Sequence, residues 1–356
     1  MLDPGRLQLS QRLVNLALER FAEAESSPTH GPELAYSFSA YPRYQGVVGG
    51  PSKGISLPSH LLREAWGHRG LYCLDPYLSI HLAQIAPAWK PIDLPRLHLR
   101  SPRGILAFDD SWTAVGWSDW WTRVPAVSSD AQIIIIHLDD HQDLVHPLLL
   151  ATDTASLWSD ILTDAKVSLS NPATVAAAVV SGAIGIGCFF VPFVHLWTNL
   201  TILHLQRRAS SWEECWLYRS FLPENRLAPG SRRPAIERSL RPAEGSKQAH
   251  YIRSWNFRAL LAAIPPEAHV LLHIDLDYFN DELAGGVTRI DREPCKEEML
   301  LEVASVFSQL EESRMHWRIE HTSVALSPGF CPSKHWHLLL GRIRSELIRL
   351  NCPCPF

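Results

Sequence analysis

QIIIIHLDDHQD, residues 132–143, sets four consecutive isoleucines directly before a histidine and a run of acids. β-Branched residues favour extended backbone. A strand that is apolar at every position, not every second one, is buried on both faces, as in a parallel sheet covered by helices. On either side of it GILAF (104–108), AIGIGCFFV (183–191), TILHL (201–205), HVLLHIDL (269–276) and HTSVALS (321–327) read as further buried strands. Between these runs, Thr154 to Ala165, Ala173 to Ser181, Ser254 to Ile264, Lys296 to Glu312 and Lys334 to Leu350 have helical periodicity or good helix formers. The alternation predicts an α/β fold, a three-layer α/β/α sandwich with a mainly parallel sheet. Residues 104–356 read as one catalytic domain. Residues 1–103 read as an N-terminal region packed on it or extending it, with helical spacing from Leu7 to Ala22 and a loop-like stretch from Ser26 to Lys53.

Composition excludes several classes. With 46% apolar and 20% charged residues the chain can bury a large core, which argues against disorder. The net charge is −4, and the basic residues are scattered apart from Arg226 to Arg241, so no nucleic-acid partner is expected. The seven cysteines are an odd number without zinc or redox spacing and read as reduced thiols. Pro172 to Trp197 lacks Asp, Glu, Lys and Arg, but it is interrupted by Gly182, Gly185, Gly187 and Pro192 and is rich in Ala, so it reads as a buried helix and strand and not a membrane span. The opening MLDPGRLQLSQRLVNLALERF has no signal-peptide pattern, which leaves a cytoplasmic location as the expectation.

Ligands in such folds bind beyond the carboxyl ends of the strands. Three runs end there in acids: GILAF in Asp109 and Asp110, the isoleucine run in His137, Asp139, Asp140, His141 and Asp143, and VLLHI in Asp275 and Asp277. Crowded carboxylates beside apolar strands repel one another and are costly to bury, so they imply a compensating cation. Carboxylate and imidazole donors without cysteine favour Mn²⁺, Fe²⁺, Co²⁺ or Zn²⁺ over Ca²⁺, and the number of donors suits a pair of ions bridged by carboxylates.

DDHQD at Asp139 to Asp143 resembles the D-x-H-x-D motif of arginases and related ureohydrolases, and DLD at Asp275 to Asp277 is similar to their D-x-D motif. HLDDHQDLVHP, HIDLDYFND and ALSPGF further resemble the arginase-related peptide arginases, which convert arginine to ornithine within ribosomally made peptides. The likeness covers roughly residues 104 to 332. It implies an arginase-like fold, two Mn²⁺ ions and a peptide substrate bearing arginine. It further implies that Asp139 and Asp275 bridge the ions, that Asp143 completes one, and that His141 and Asp277 complete the other. Two departures stand out. Asp110, with Asp109 as second choice, takes the place of the usual first histidine ligand, and Ala325 falls where ordinary arginases hold the guanidinium with a glutamate. Asp140, Asp281 and Glu320 are then the candidates for binding the guanidinium, and Asp143, His146 and Asp140 the candidates for handling protons and water. Competing readings are a deacetylase-like amidohydrolase, a ureohydrolase acting on a free guanidino compound, and a silent metal-binding scaffold.

The remaining residues read more plainly. His137 and His273, upstream on their strands, orient ligand carboxylates. His195 and His321 read as hydrogen-bonded core residues, Trp112, Trp117, Trp120 and Trp121 as core or as the wall of a peptide groove, and SPGFCP (327–332) as a turn shaping the rim.

Overall fold

The computed structural model describes residues 78–85 and 97–356, apart from 109, 125–130, 153–156, 162, 223–229, 243–247, 283–293 and 328–329. The expected elements over Leu7 to Ala22 and Ser26 to Lys53 lie outside the described residues, as does Asp109. The elements in chain order are α1 (Leu78–Ile85), β1 (His98–Ser101), β2 (Gly104–Ala107), α2 (Thr113–Arg123), β3 (Gln132–Leu138), β4 (Leu149–Ala151), β5 (Leu157–Asp160), β6 (Lys166–Ser168), α3 (Pro172–Ser181) and α4 (Phe190–Leu196). They continue with β7 (Asn199–Leu205), β8 (Glu213–Phe221), β9 (Pro234–Ser239), β10 (Gln248–Ser254), α5 (Phe257–Ala262), β11 (His269–Asp275), α6 (Lys296–Glu312), β12 (Ile319–Ala325) and α7 (Trp336–Arg349).

Nine strands form one sheet in the order β1-β2-β12-β11-β3-β7-β10-β8-β9. The block from β2 to β10 is parallel, and antiparallel pairs close both edges. The fold is therefore α/β with a mixed, mostly parallel sheet. Alternate side chains enter two separate cores. Ile134, Ile136 and Leu138 of β3 join Phe257, Met299, Phe307 and Leu339 on one face, whereas Ile133 and Ile135 join Trp117, Val175, Phe190 and Trp197 on the other. Each fully buried isoleucine contributes about 1.5–3 kcal/mol of transfer free energy, and this two-sided demand is what holds β3 at the sheet centre. α2 approaches the sheet closely at Gly116, where a Cβ would stand 2.7 Å from His321 Cε1 and 2.8 Å from Ile105 Cγ2.

Several expectations change. The run 183–191 is not a strand: Gly182 and Gly187 have φ of 89° and 72°, and the backbone turns into α4. Its backbone groups bond to the loop before β4, with Val145 N–H donating to Gly187 O and Leu148 N–H to Ala183 O. A short apolar run does not by itself separate strand from buried helix. Thr154 to Ala165 contains no helix among its described residues. It carries β5, the middle strand of a three-stranded sheet β4-β5-β6, and a turn fixed by Thr163 N–H donating to Asp160 Oδ1. The proposed boundary at 103/104 falls inside a hairpin, because β1 pairs with β2 from His98↔Ala107 to Ser101↔Gly104. No helix among the described residues is long and apolar enough to cross a membrane. No disulfide joins the cysteines among them, Cys188, Cys215, Cys295, Cys331, Cys352 and Cys354, to one another.

Candidate metal centre

β3 and β11 lie side by side in register, with His137 opposite His273 and Leu138 opposite Ile274. Asp139 and Asp275 therefore emerge together from the carboxyl ends of adjacent strands. This is also a topological switch point, since the chain leaves β3 for β7 on one side and later returns to place β11 on the other. Asp110 opens the turn that follows β2, and Asp277 lies in the turn that follows β11. Asp143 has a left-handed backbone, φ 53°, a conformation aspartate tolerates better than most residues, and it turns the loop back over the strand ends. All five of these carboxylates are buried.

Two donor groups result. One ligand atom each from Asp139, His141 and Asp277 lie within 4.8 Å of one another, and so do atoms from Asp110, Asp139 and Asp143. Asp139 belongs to both. Asp275 belongs to neither group. Its Oδ1 accepts the Asp277 N–H at 2.9 Å, and it acts on Asp277, Asp110 and Asp143 through charge. A third trio, Asp139 with His137 and His273, is close enough for an ion, but both nitrogens of His137 are already engaged, Nδ1 with His273 Nδ1 at 2.9 Å and Nε2 with His141 O at 3.1 Å.

Burial first, then mutual repulsion, raises Asp139 and Asp275 well above the ordinary carboxylate value. Burial also pushes Asp143 up to about 6 and, with repulsion from Asp277, Asp281 up to about 8. At Asp277 burial opposes the charge, but His141 and the donors around it outweigh burial and hold the group below its ordinary value. His141 is the counterpart: burial disfavours its charge, yet Asp277 above all raises it to about 10. Asp277 accepts from Asp140 N–H at 3.2 Å and Ser327 Oγ–H at 3.1 Å, and its Oδ2 stands 2.9 Å from His141 Nδ1. Asp143 Oδ2 is buried and has no hydrogen-bond partner among the described residues. Crowded acids, a buried oxygen without a hydrogen bond among the described residues and a donor set of carboxylates and imidazole together fit a divalent cation. These residues could hold a metal ion.

The other expected site residues divide. Asp140 and Asp281 share one guanidinium, with Arg208 Nη1 3.0 Å from Asp140 Oδ2 and 3.4 Å from Asp281 Oδ2. His146 is held by its backbone, its carbonyl accepting from Arg233 Nη2 at 2.7 Å, and its ring is not among the grouped donors. Glu320 lies at the opposite end of the sheet. It stands one residue into β12, where it accepts from Trp120 Nε1–H at 3.0 Å and pairs with His269 Nδ1 at 2.7 Å, so it does not reach the strand ends that carry the aspartates. Ala325 is opposite Asp275 in the sheet and offers no polar side-chain atom. Trp112, Trp117 and Trp120 are core residues, Trp117 packing on Phe189, Phe190, Phe193 and Trp197. His195 is likewise structural, its Nε2 2.9 Å from Ala235 O.

Sequence reasoning missed His204, Tyr251, Gln206 and Arg208. His204 Nε2 lies 2.9 Å from Asp139 O, its Nδ1 meets Tyr251 OH, and Gln206 Nε2–H donates to Asp140 O at 2.7 Å. A signal for His204 existed: the apolar runs IIIIHL, TILHL and VLLHI each have a histidine as their next-to-last residue. No protein-family model and no curated protein matches the sequence.

Proposed function

We propose that this chain is a dinuclear-metal hydrolase that converts arginine within a peptide into ornithine and releases urea, with manganese as its metal. The observation that carries the reading is the pair of donor groups sharing Asp139, the arrangement a bridging carboxylate requires. Asp139, His141 and Asp277 would hold one ion and Asp110, Asp139 and Asp143 the other, with the Asp275 charge acting on members of both groups. Two divalent cations supply Lewis acidity and a nucleophile from water at neutral pH. In the overall reaction a bond forms between water oxygen and the guanidinium carbon, the bond from that carbon to the side-chain nitrogen breaks, and both water protons end on that nitrogen, which leaves as an ammonium while the carbon leaves as urea.

The chain's own groups would bind and orient the substrate. Asp140 and Asp281 already accommodate a guanidinium, that of Arg208, beside the candidate ligands, which supports them as the acids that hold a substrate arginine. Asp140 and His146 are the rim groups assigned to move the proton to the departing amine. Trp212 and Trp255, both exposed, flank the carboxyl end of β10 and offer an extended substrate apolar surface outside the pocket. Remote contacts of this kind favour a peptide over free arginine, for which Ala325 provides no acid.

The test is urea release and ornithine formation from an arginine peptide, with the Mn²⁺-loaded protein, free L-arginine and an acetyl-lysine peptide run in parallel. Turnover of the arginine peptide with much higher kcat/KM than free arginine is expected. Exclusive turnover of the acetyl-lysine peptide would move the chain to the amidohydrolases, and no turnover with full metal occupancy would make it a binding protein.

A further inference from the structure

His273, His137 and His204 occupy the same level of three adjacent strands, His273 opposite His137 in β11·β3 and His137 opposite His204 in β3·β7. All three are fully buried, on the sheet face covered by Trp117, Phe189 and Phe190. We infer that they form a histidine ladder, His273 hydrogen-bonded to His137 and the His204 ring packed 4.6 Å from that of His137, whose proton positions are dictated by the fold, and that its task is to position the backbone of residues 139–141 for metal binding. The second half of this inference rests on the metal reading above; the first does not.

The proton positions follow from what each nitrogen faces. His204 Nε2 meets Asp139 O at 2.9 Å, and His137 Nε2 meets His141 O at 3.1 Å with Asp143 Oδ2 3.6 Å away. Carbonyl and carboxylate oxygens accept and do not donate, so both Nε2 atoms must carry hydrogen. In neutral imidazoles the Nδ1 atoms are then bare acceptors. At His204 this acceptor is served by Tyr251 O–H. Among the described residues, the group facing His137 Nδ1 is His273 Nδ1, 2.9 Å away, so His273 is the donor and carries its hydrogen there. The hydrogens therefore sit on Nε2 of His204 and of His137 and on Nδ1 of His273.

His273 bears the cost of this arrangement. Its Nε2 is left as a buried acceptor with no hydrogen-bond partner among the described residues, a loss of about 1–3 kcal/mol that a leucine would avoid. The return is that His137 is locked with its donor toward the loop. The two carbonyls held from below belong to Asp139 and His141, two of the three residues of one donor group. Histidines that orient ligands in this way are positioning residues, and removing such partners lowers metal affinity about 10–100-fold.

Two measurements on the full chain test the ladder. Long-range ¹⁵N–¹H correlation of ¹⁵N-histidine-labelled, metal-free protein should show Nε2–H for His137 and His204 and Nδ1–H for His273; an Nε2–H tautomer at His273 overturns the assignment. In a Mn²⁺ titration followed by electron paramagnetic resonance, His273→Leu and His204→Leu should bind about 10–100-fold more weakly. His273→Asn, which keeps a donor near Nδ1, and His204→Gln, which keeps one near Nε2, should recover most of the affinity. Wild-type affinity in the leucine variants, or failure of Asn and Gln to rescue folded protein, overturns the positioning role. If a leucine variant does not fold, the tautomers of the wild type still decide the ladder. A wild-type chain that binds no Mn²⁺ but shows the stated tautomers removes the metal reading and leaves the ladder standing.

Discussion

Asp277 Oδ2 lies 2.9 Å from His141 Nδ1, joining the turn after β11 to the loop after β3 by an ion pair. The pair explains why His141 is raised to about 10 while Asp277 is lowered. A metal can use His141 only after the imidazolium gives up its proton. Burial and mutual repulsion also make Asp139 and Asp275 hold their protons to higher pH than an ordinary carboxylate does. Metal binding must therefore release protons, and its apparent affinity must rise with pH. Calorimetric titration with Mn²⁺ in buffers of different ionisation enthalpy should show release and tighter binding at pH 8 than at pH 6. Equal affinity at the two pH values would contradict the site as drawn.

The metal-free chain should lose stability on both sides of neutrality. Burial lowers His137, and lowers His195 to about 4 and His204, His273 and His321 to about 3. These groups are neutral in the fold, so their stability contribution is present above about pH 6.5 and is lost as pH falls. Asp281, raised to about 8, and His141, raised to about 10, act in the opposite sense. Their contribution is present below their unfolded values and is lost as pH rises through the folded ones. Thermal melts should peak near about pH 7. Mn²⁺ should flatten the fall between pH 7 and pH 8 and leave the acidic limb in place; an alkaline fall that metal does not alter would separate these groups from the site.

Arg208 should compete with substrate. Its guanidinium occupies the Asp140–Asp281 pair, and its side chain is 46% exposed, so the pairing is weak and replaceable. Arg208→Ala should lower KM for an arginine peptide by about 2–5-fold, the range that an exposed ion pair of roughly 0.5–1 kcal/mol allows. Asp281→Asn should raise KM without changing metal content. An unchanged KM in both variants would remove the acid pair from substrate binding.

What was legible in the sequence follows burial. QIIIIHL is β3 to the residue, and Lys296 to Glu312 is α6, because each has one strong local pattern and no competing pairing. AIGIGCFFV failed because its glycines bend an apolar run that looks the same buried as helix or strand. Glu213–Phe221, Pro234–Ser239 and Gln248–Ser254 were missed because these strands mix charged and half-buried residues without clear alternation. The aspartates could be found because each lies at the end of a buried strand or within five residues after it. The histidine ladder depends on register between strands, and the reach of Arg208 depends on loop geometry, neither of which one strand's sequence contains. Glu320 misled in the converse way: it is an acid on a core strand, but at the end away from the aspartates.

Metal stoichiometry bears most directly on the shared role of Asp139. After reconstitution with Mn²⁺ and removal of free ion, elemental analysis should find two metals per chain in the wild type, close to one in Asp110→Ala and neither retained in Asp139→Asn, because Asp139 belongs to both donor groups. A wild-type chain that retains no metal, or an Asp139→Asn chain that keeps the wild-type content, would contradict the dinuclear centre.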